Sequence, residues 1–228
     1  MIHFSTFFYA LIGGIGPAVI WLLFWLREDR KNPEPNNLIL KTFAFGMLAV
    51  IFVLPFQKGV EILFPTLAVL PIFLWSLLEE TFKFTAGYFG GLHSVEDNEP
   101  IDPLIYMITA ALGFVALENA LFIFGPLLQN DLTQGIITGN LRFIGASLLH
   151  VVSSGFVGTS LSFSFYKTRS QRILYVTVGL ICAILFHLIF NLLIIKGGSS
   201  GMSNAFILVW VGIVALLLTF ERIKAIAS

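Results

Sequence analysis

An all-α fold, a polytopic transmembrane helix bundle of about seven spans, is what this sequence predicts, and three observations carry it. Of its 228 residues, 57% are hydrophobic and only 11% are charged, whereas a soluble domain carries roughly a quarter charged residues. The mean hydropathy is +0.91. The apolar runs are continuous and close to helix-spanning length, unlike the alternating segments of about 10 residues from which a closed barrel is built. Spans and short connections consume nearly the whole chain, so 1–228 reads as a single integral membrane domain. No soluble catalytic or nucleic-acid-binding domain fits, and any chemistry sits in the membrane.

The spans fall at about 4–26, 38–56, 65–91, 103–125, 142–166, 172–195 and 203–221. The first lacks a basic n-region and is too long for a signal-peptide core, so it reads as a retained helix. Breakers mark the connections: Asn32-Pro33-Glu34-Pro35-Asn36 after the first span, Asn98-Glu99-Pro100 with Asp102-Pro103 before the fourth, and Gly197-Gly198-Ser199-Ser200-Gly201 before the last. The third span is too long for one straight crossing and contains Pro65 and Pro71. Either one helix runs from about Pro65, or Gly59 to Leu70 forms an extra re-entrant or interfacial piece and the crossing helix starts near Pro71, where a first-turn proline is tolerated. Depth favours the second, because only then do Glu79 and Glu80 reach the level of the polar groups on other spans. Cys182, the one cysteine, lies in an apolar run and packs as a small apolar residue. His3 and His93 read as solvated, and Glu96, Asp97, Glu99 and Asp102 as a hydrated turn.

Lys and Arg set the orientation. Arg27, Arg30 and Lys31, then Lys167, Arg169 and Arg172, then Arg222 and Lys224 share one side, against Lys58, Arg142 and Lys196 on the other. This predicts an extracytoplasmic N-terminus and a cytoplasmic C-terminus.

Ionisable residues in the middle of spans point to function. Each costs about 2.5–3.5 kcal/mol at a helix centre even on a lenient scale, so it marks a working site by default. In Glu79-Glu80-Thr81-Phe82-Lys83, Glu79 and Lys83 stand at i, i+4 and Glu80 and Lys83 at i, i+3, so one acid pairs with the lysine. The other points elsewhere, since neighbours on a helix are about 100° apart, and is free to hold a water or a metal. Phe114 and Glu118 share a face, and Asn119 adds an amide able to orient water or a substrate carbonyl. His150 and His187 supply imidazoles, which serve as metal ligands or general bases, and Asn191 shares the face of His187. Gly155 and Gly158 read as close-packing positions. Two His with Glu79, Glu80 and Glu118 suit a catalytic zinc, or a metal-free site in which a glutamate activates water.

Together, Glu79-Glu80-x-x-Lys83, Phe114-x-x-x-Glu118-Asn119, His150 followed by Gly158, and His187-x-x-x-Asn191 resemble the motifs of the PrsW family of intramembrane proteases, which is related to the CAAX prenyl proteases. The resemblance covers about 75–195, and Asn191 stands where some relatives have Asp. It implies an intramembrane endopeptidase with a protease core at about 71–195, acting on membrane-anchored, single-span proteins such as anti-sigma factors. It further implies Glu79, Glu80, Lys83, Glu118, His150, His187 and Asn191 as the catalytic set. Within it Glu79 or Glu80 activates water, Glu118, His150 and His187 are the candidate zinc ligands, Lys83 holds the neighbouring glutamate ionised, and Asn119 and Asn191 support the scissile carbonyl. The competing readings are an ion- or proton-coupled transporter or channel, in which the same groups form a relay, and a catalytically inactive scaffold.

Overall fold

The computed structural model describes residues 4–27, 32–66 and 68–227. They form seven α-helices and no strand: α1 (Phe4–Leu26), α2 (Asn36–Leu63), α3 (Val69–Gly87), α4 (Asp102–Leu128), α5 (Leu132–Phe163), α6 (Arg169–Lys196) and α7 (Gly198–Ala227). A single π-helical turn, Tyr88–Leu92, extends α3. Six of the seven are long and apolar enough to cross a membrane. The seventh, α3, has 19 residues, about 28 Å at the helical rise, and carries Glu79, Glu80 and Lys83 in its middle.

The break before α3 has a local cause. Pro65 disfavours helical geometry at the residue before it, and Phe64 leaves the helix at φ −130°, ψ 76°. Val69 restarts the chain as a helix with Pro71 in its first turn. Residues 59–63 are therefore the last turn of α2, and no separate re-entrant or interfacial helix precedes α3 among the described residues. Leu67, which belongs to that stretch, lies outside them, as do His3, Arg30 and Lys31.

The fifth helix also departs from expectation, beginning at Leu132 instead of near 142. Asn130 adopts the left-handed conformation (φ 59°), which asparagine enters more readily than most residues. Asp131 then caps α5 by accepting a hydrogen bond from the Gln134 N–H at 2.8 Å. This tight turn makes α4 and α5 an antiparallel hairpin at the centre of the bundle. Helices α1 and α2 pack on α4, α6 and α7 pack on α5, and α3 bridges α2 and α6.

Without a hydrophobic driving force between helices in lipid, small residues permit the contacts. A Cβ at Gly113 of α4 would collide with the Phe43 carbonyl of α2, and one at Gly158 of α5 would sit 2.8 Å from the Leu104 Cα of α4. Gly155 faces the Leu216 side chain of α7. Cys182 is exposed on the bundle exterior instead of packed.

The acidic stretch before α4 is not a hydrated turn. Asp102 is fully buried, and its Oδ2 accepts the N–H groups of Asn98 (2.8 Å) and Glu99 (2.6 Å). The half-buried Asp97 pairs with Arg172 at the start of α6 (3.4 Å), and Glu34 accepts from the Tyr106 hydroxyl. Burial outweighs the Arg172 attraction and pushes the Asp97 carboxyl up to about 6. The stretch ties the α1–α2 connection, α4 and α6 together at one end of the bundle. Glu96 and His93 are exposed, His93 stacking on Tyr88.

Candidate functional site

The site gathers at the level where α3, α4, α5 and α6 carry their ionisable residues. Glu79 and Glu118 each lie about ten residues, roughly 15 Å, from the helix ends at Val69 and Leu128. His187 lies a similar distance from Lys196. These ends share one face of the bundle.

Lys83 is fully buried, and its ammonium has three partners. It donates to Glu80 Oε1 (2.6 Å) and Ser153 Oγ (3.3 Å), and its Nζ lies 2.9 Å from His150 Nδ1. An ammonium has three donors and no lone pair, so Nδ1 of His150 accepts. That tautomer carries its proton on Nε2, which lies 3.2 Å from Glu118 Oε2 and donates to it. The Lys83 ammonium also lies 5.7 Å from the centre of the Phe114 ring, and that ring packs tilted on His150 at 5.4 Å. This accounts for the phenylalanine one turn before Glu118.

The two adjacent glutamates divide their work. Glu80 is 1% exposed, and its Oε1 also accepts from His187 Nδ1 at 2.6 Å. With its proton committed there, His187 keeps a lone pair on Nε2, which faces Glu79 Oε2 at 3.6 Å. Glu79 Oε1 is held by Gln57 of α2 at 2.8 Å, while its Oε2 is buried without a hydrogen-bond partner. Spacing along α3 allows either acid to reach Lys83. Tertiary partners decide the matter: Glu80 is paired, and Glu79 faces a cavity.

That cavity, of about 360 Å³, is lined by Glu79, Glu118, Arg142, His150, His187 and Asn191, with apolar walls from α2, α4, α5 and α6. It lies toward the helix ends named above, with Gln57, Glu61 and Trp75 on that side. One ligand atom each from Glu79, His150 and His187 fall within 4.8 Å of one another. The chemistry of the set fits a divalent transition metal. It offers a partnerless carboxylate oxygen and an imidazole lone pair aimed by a carboxylate on the opposite nitrogen. His150 would join such a set only as its other tautomer, with the proton on Nδ1 and the Lys83 ammonium turned away from that nitrogen.

The converging set differs from Glu118, His150 and His187, the ligands expected from sequence. Glu118 is drawn instead to Arg142, whose Nη2 pairs with Glu118 Oε2. Asn119, expected to face substrate, is buried and outside the cavity lining. Its Oδ1 accepts from Arg142 Nε (2.6 Å) and its Nδ2 donates to Ser147 Oγ (3.3 Å). Asn191 does line the cavity.

Sequence reasoning passed over Gln57, Arg142 and Ser153. Gln57 is a lone amide near the end of an apolar run, and Ser153 is an ordinary small polar residue one helical turn after His150. From hydropathy alone the fifth span starts at Arg142, which makes it a flanking charge. The Asn130-Asp131 cap would have placed it inside the helix, about two turns before His150.

Known proteins match over most of the chain. A family model described as "PrsW family intramembrane metalloprotease" matches residues 34–219, which takes in α2 and most of α7 beyond the 75–195 stretch delimited by the motifs. The chain is 26% identical over 193 residues to Protease PrsW of Geobacillus kaustophilus, covering 82% of this chain and 80% of that protein. It is 27% identical over 192 residues to Protease PrsW of Oceanobacillus iheyensis, with 83% and 84% covered. With Protease PrsW of Bacillus subtilis it shares 24% identity over 192 residues, with 79% and 80% covered. No solved structure matches.

Proposed function

The chain belongs to the PrsW family of intramembrane metalloproteases, and from that premise we propose that it hydrolyses a peptide bond of single-span membrane proteins, of the anti-sigma-factor kind, near their extracytoplasmic end. As an intramembrane protease it acts on a membrane-embedded protein substrate within the bilayer, so the transporter reading falls away. The catalytic core is assigned to about 71–195 within one membrane domain.

The observation that carries the mechanism is the pair formed by the partnerless Glu79 Oε2 and the outward lone pair of His187 Nε2, 3.6 Å apart. A water seated between them donates one proton toward Glu79 and is oriented by His187. Glu80 fixes the His187 tautomer and neutralises Lys83, and Lys83 fixes the tautomer of His150. Glu118 accepts from His150, which stands beside His187 with the rings edge to face at 5.2 Å. Asn191, on the face of α6 that bears His187, supports the substrate carbonyl. A zinc ion held by Glu79, His150 and His187 would supply Lewis-acid activation at this same point.

Charge supports the extracytoplasmic assignment. Arg27, Lys167, Arg169, Arg172, Arg222 and Lys224 lie toward the bundle end away from the cavity mouth, and basic residues favour the cytoplasmic side. A prenyl protease would need the opposite access.

The test is co-expression with a panel of tagged single-span substrates. Wild type releases the tagged fragment, and Glu79→Gln and His187→Ala do not. Cleavage that persists in folded variants rejects the assignment. Metal analysis with chelator treatment of the purified protein then separates the two routes. Loss of cleavage on chelation and its return with zinc assigns the metal to the Glu79–His150–His187 set, whereas chelator-resistant cleavage assigns water activation to Glu79 alone.

A further inference from the structure

Arg142 belongs to none of the motifs, yet its guanidinium lines the cavity and is held on three sides. Its Nη2 pairs with Glu118 and its Nε donates to Asn119 Oδ1. The guanidinium carbon lies 3.8 Å from the centre of the Phe122 ring. A guanidinium has five N–H donors in a fixed planar fork. Two are spent on Glu118 and Asn119, and neither proton of Nη1 has a partner among the described residues. The side chain is 18% exposed, the Lys83 side chain 0%. Among the described residues, Arg142 is therefore the cation that faces the cavity.

Its place relative to the reacting groups is set by a short relay. Glu118 Oε2 takes both Arg142 and His150 Nε2, the His150 ring abuts His187, and His187 Nε2 faces Glu79 Oε2. Glu79 and His187 approach the cavity from α3 and α6, and Arg142 approaches it from α5. A peptide lying in the cavity has the water-bearing pair on one side and the guanidinium on another. Of the other candidate donors, the Asn119 amide is committed to Ser147 and the His150 N–H to Glu118, whereas the Asn191 amide lines the cavity from α6 and shares the carbonyl oxygen with Arg142.

We propose that Arg142 is a catalytic residue whose free N–H groups donate to the oxygen of the scissile carbonyl; this rests on the protease reading above. In the step, the water oxygen bonds to the carbonyl carbon and the C=O π pair moves onto the carbonyl oxygen. The proton of that water goes to the site carboxylate. The C–N bond then breaks as the oxygen pair returns, and the same proton leaves with the amine. Arg142 transfers no proton and stabilises the negative oxygen. Glu118, Asn119 and Phe122 hold the fork so that no reorganisation is needed as charge develops.

The test uses full-length protein in detergent or liposomes with a tagged single-span substrate that wild type cleaves. Removing one such donor costs about 100- to 1,000-fold in kcat. Arg142→Lys, which keeps the charge beside Glu118 but lacks the fork, is expected to lose kcat by that order while KM stays within about threefold. Arg142→Ala is expected to lose at least as much, and millimolar guanidinium added to it to restore part of kcat. Guanidinium would not repair a merely misfolded protein. Folded Arg142→Lys with wild-type kcat, a loss confined to KM, or the absence of rescue in folded Arg142→Ala overturns the proposal. Should wild type cleave no single-span substrate, the protease reading itself fails, whatever Arg142 does.

Discussion

Replacing Glu80 with glutamine removes one carboxylate and strands two partners. Lys83 and Glu80 are 0% and 1% exposed, so the remaining ammonium has no water to turn to. Breaking a buried pair from one side costs about 3–5 kcal/mol. For a chain of this length each kcal/mol moves Tm by roughly 2–4 °C, so Glu80→Gln should melt about 6–20 °C lower than wild type. Lys83 and His187 meet the same carboxylate oxygen, Oε1, so the glutamine carbonyl can still accept from both while its NH2 takes the place of the partnerless Oε2. The imidazole keeps its tautomer but loses the anionic partner that raises the basicity of Nε2, so activity falls as well. Replacing both partners, Glu80→Gln with Lys83→Met, removes the stranded charge, and such paired replacements are often nearly neutral. The double variant should recover most of the lost Tm and none of the cleavage, because His187 still lacks its carboxylate. Thermal unfolding of the four proteins of this cycle in one detergent reads the coupling directly. A single variant within about 2 °C of wild type, or a double variant no more stable than the single, would refute the buried-pair reasoning.

Three further outcomes are expected. Gly158→Leu should destabilise by about 1–3 kcal/mol, seen as a lower melting temperature, because its Cβ would lie 2.8 Å from the Leu104 Cα with backbone on both sides. Asp97, with a native carboxyl raised from 3.8 to about 6, binds more protons folded than unfolded between those values, so its contribution to stability falls as pH rises through that window. Asp97→Asn should flatten that slope in melting curves taken between pH 4 and 7. With Cys182→Ala as background, a cysteine at Asn130 should react with an impermeant maleimide in intact cells, and one at Glu96 only after lysis. The reverse pattern inverts the proposed orientation.

Much of the fold was legible because each span is a long apolar run, and α1 matches its expected range at both ends. The start of α5 was missed by ten residues because the run 132–141 is polar enough to look like loop. Its signal was the Asn130-Asp131 cap, a turn motif and not a hydropathy change. At the site, helical spacing was enough to pair Lys83 with one of two acids but could not choose between them, since both lie within its reach. The choice depends on Gln57 from α2 and His187 from α6, contacts between residues far apart in sequence. The acidic stretch before α4 hides its partners for a similar reason: four carboxylates close together suggest water, unless Arg172 is seen to meet Asp97 and two backbone N–H groups Asp102.

The pairing of Lys83 with Glu80 inside one helix bears on how α3 enters the bilayer at all. Three ionised side chains on an isolated helix would oppose insertion by several kcal/mol. An i, i+3 pair, however, forms as soon as the helix does, before any neighbour is present, and reduces the charge delivered to lipid to that of one carboxyl group. The short connection 64–68 lets α3 follow α2 as a hairpin, bringing Gln57 to Glu79 during insertion. Polar chemistry and membrane biogenesis are thus served by the same two residues, and a variant that moved the lysine one position along α3 would face its first obstacle at the translocon, ahead of any defect in catalysis.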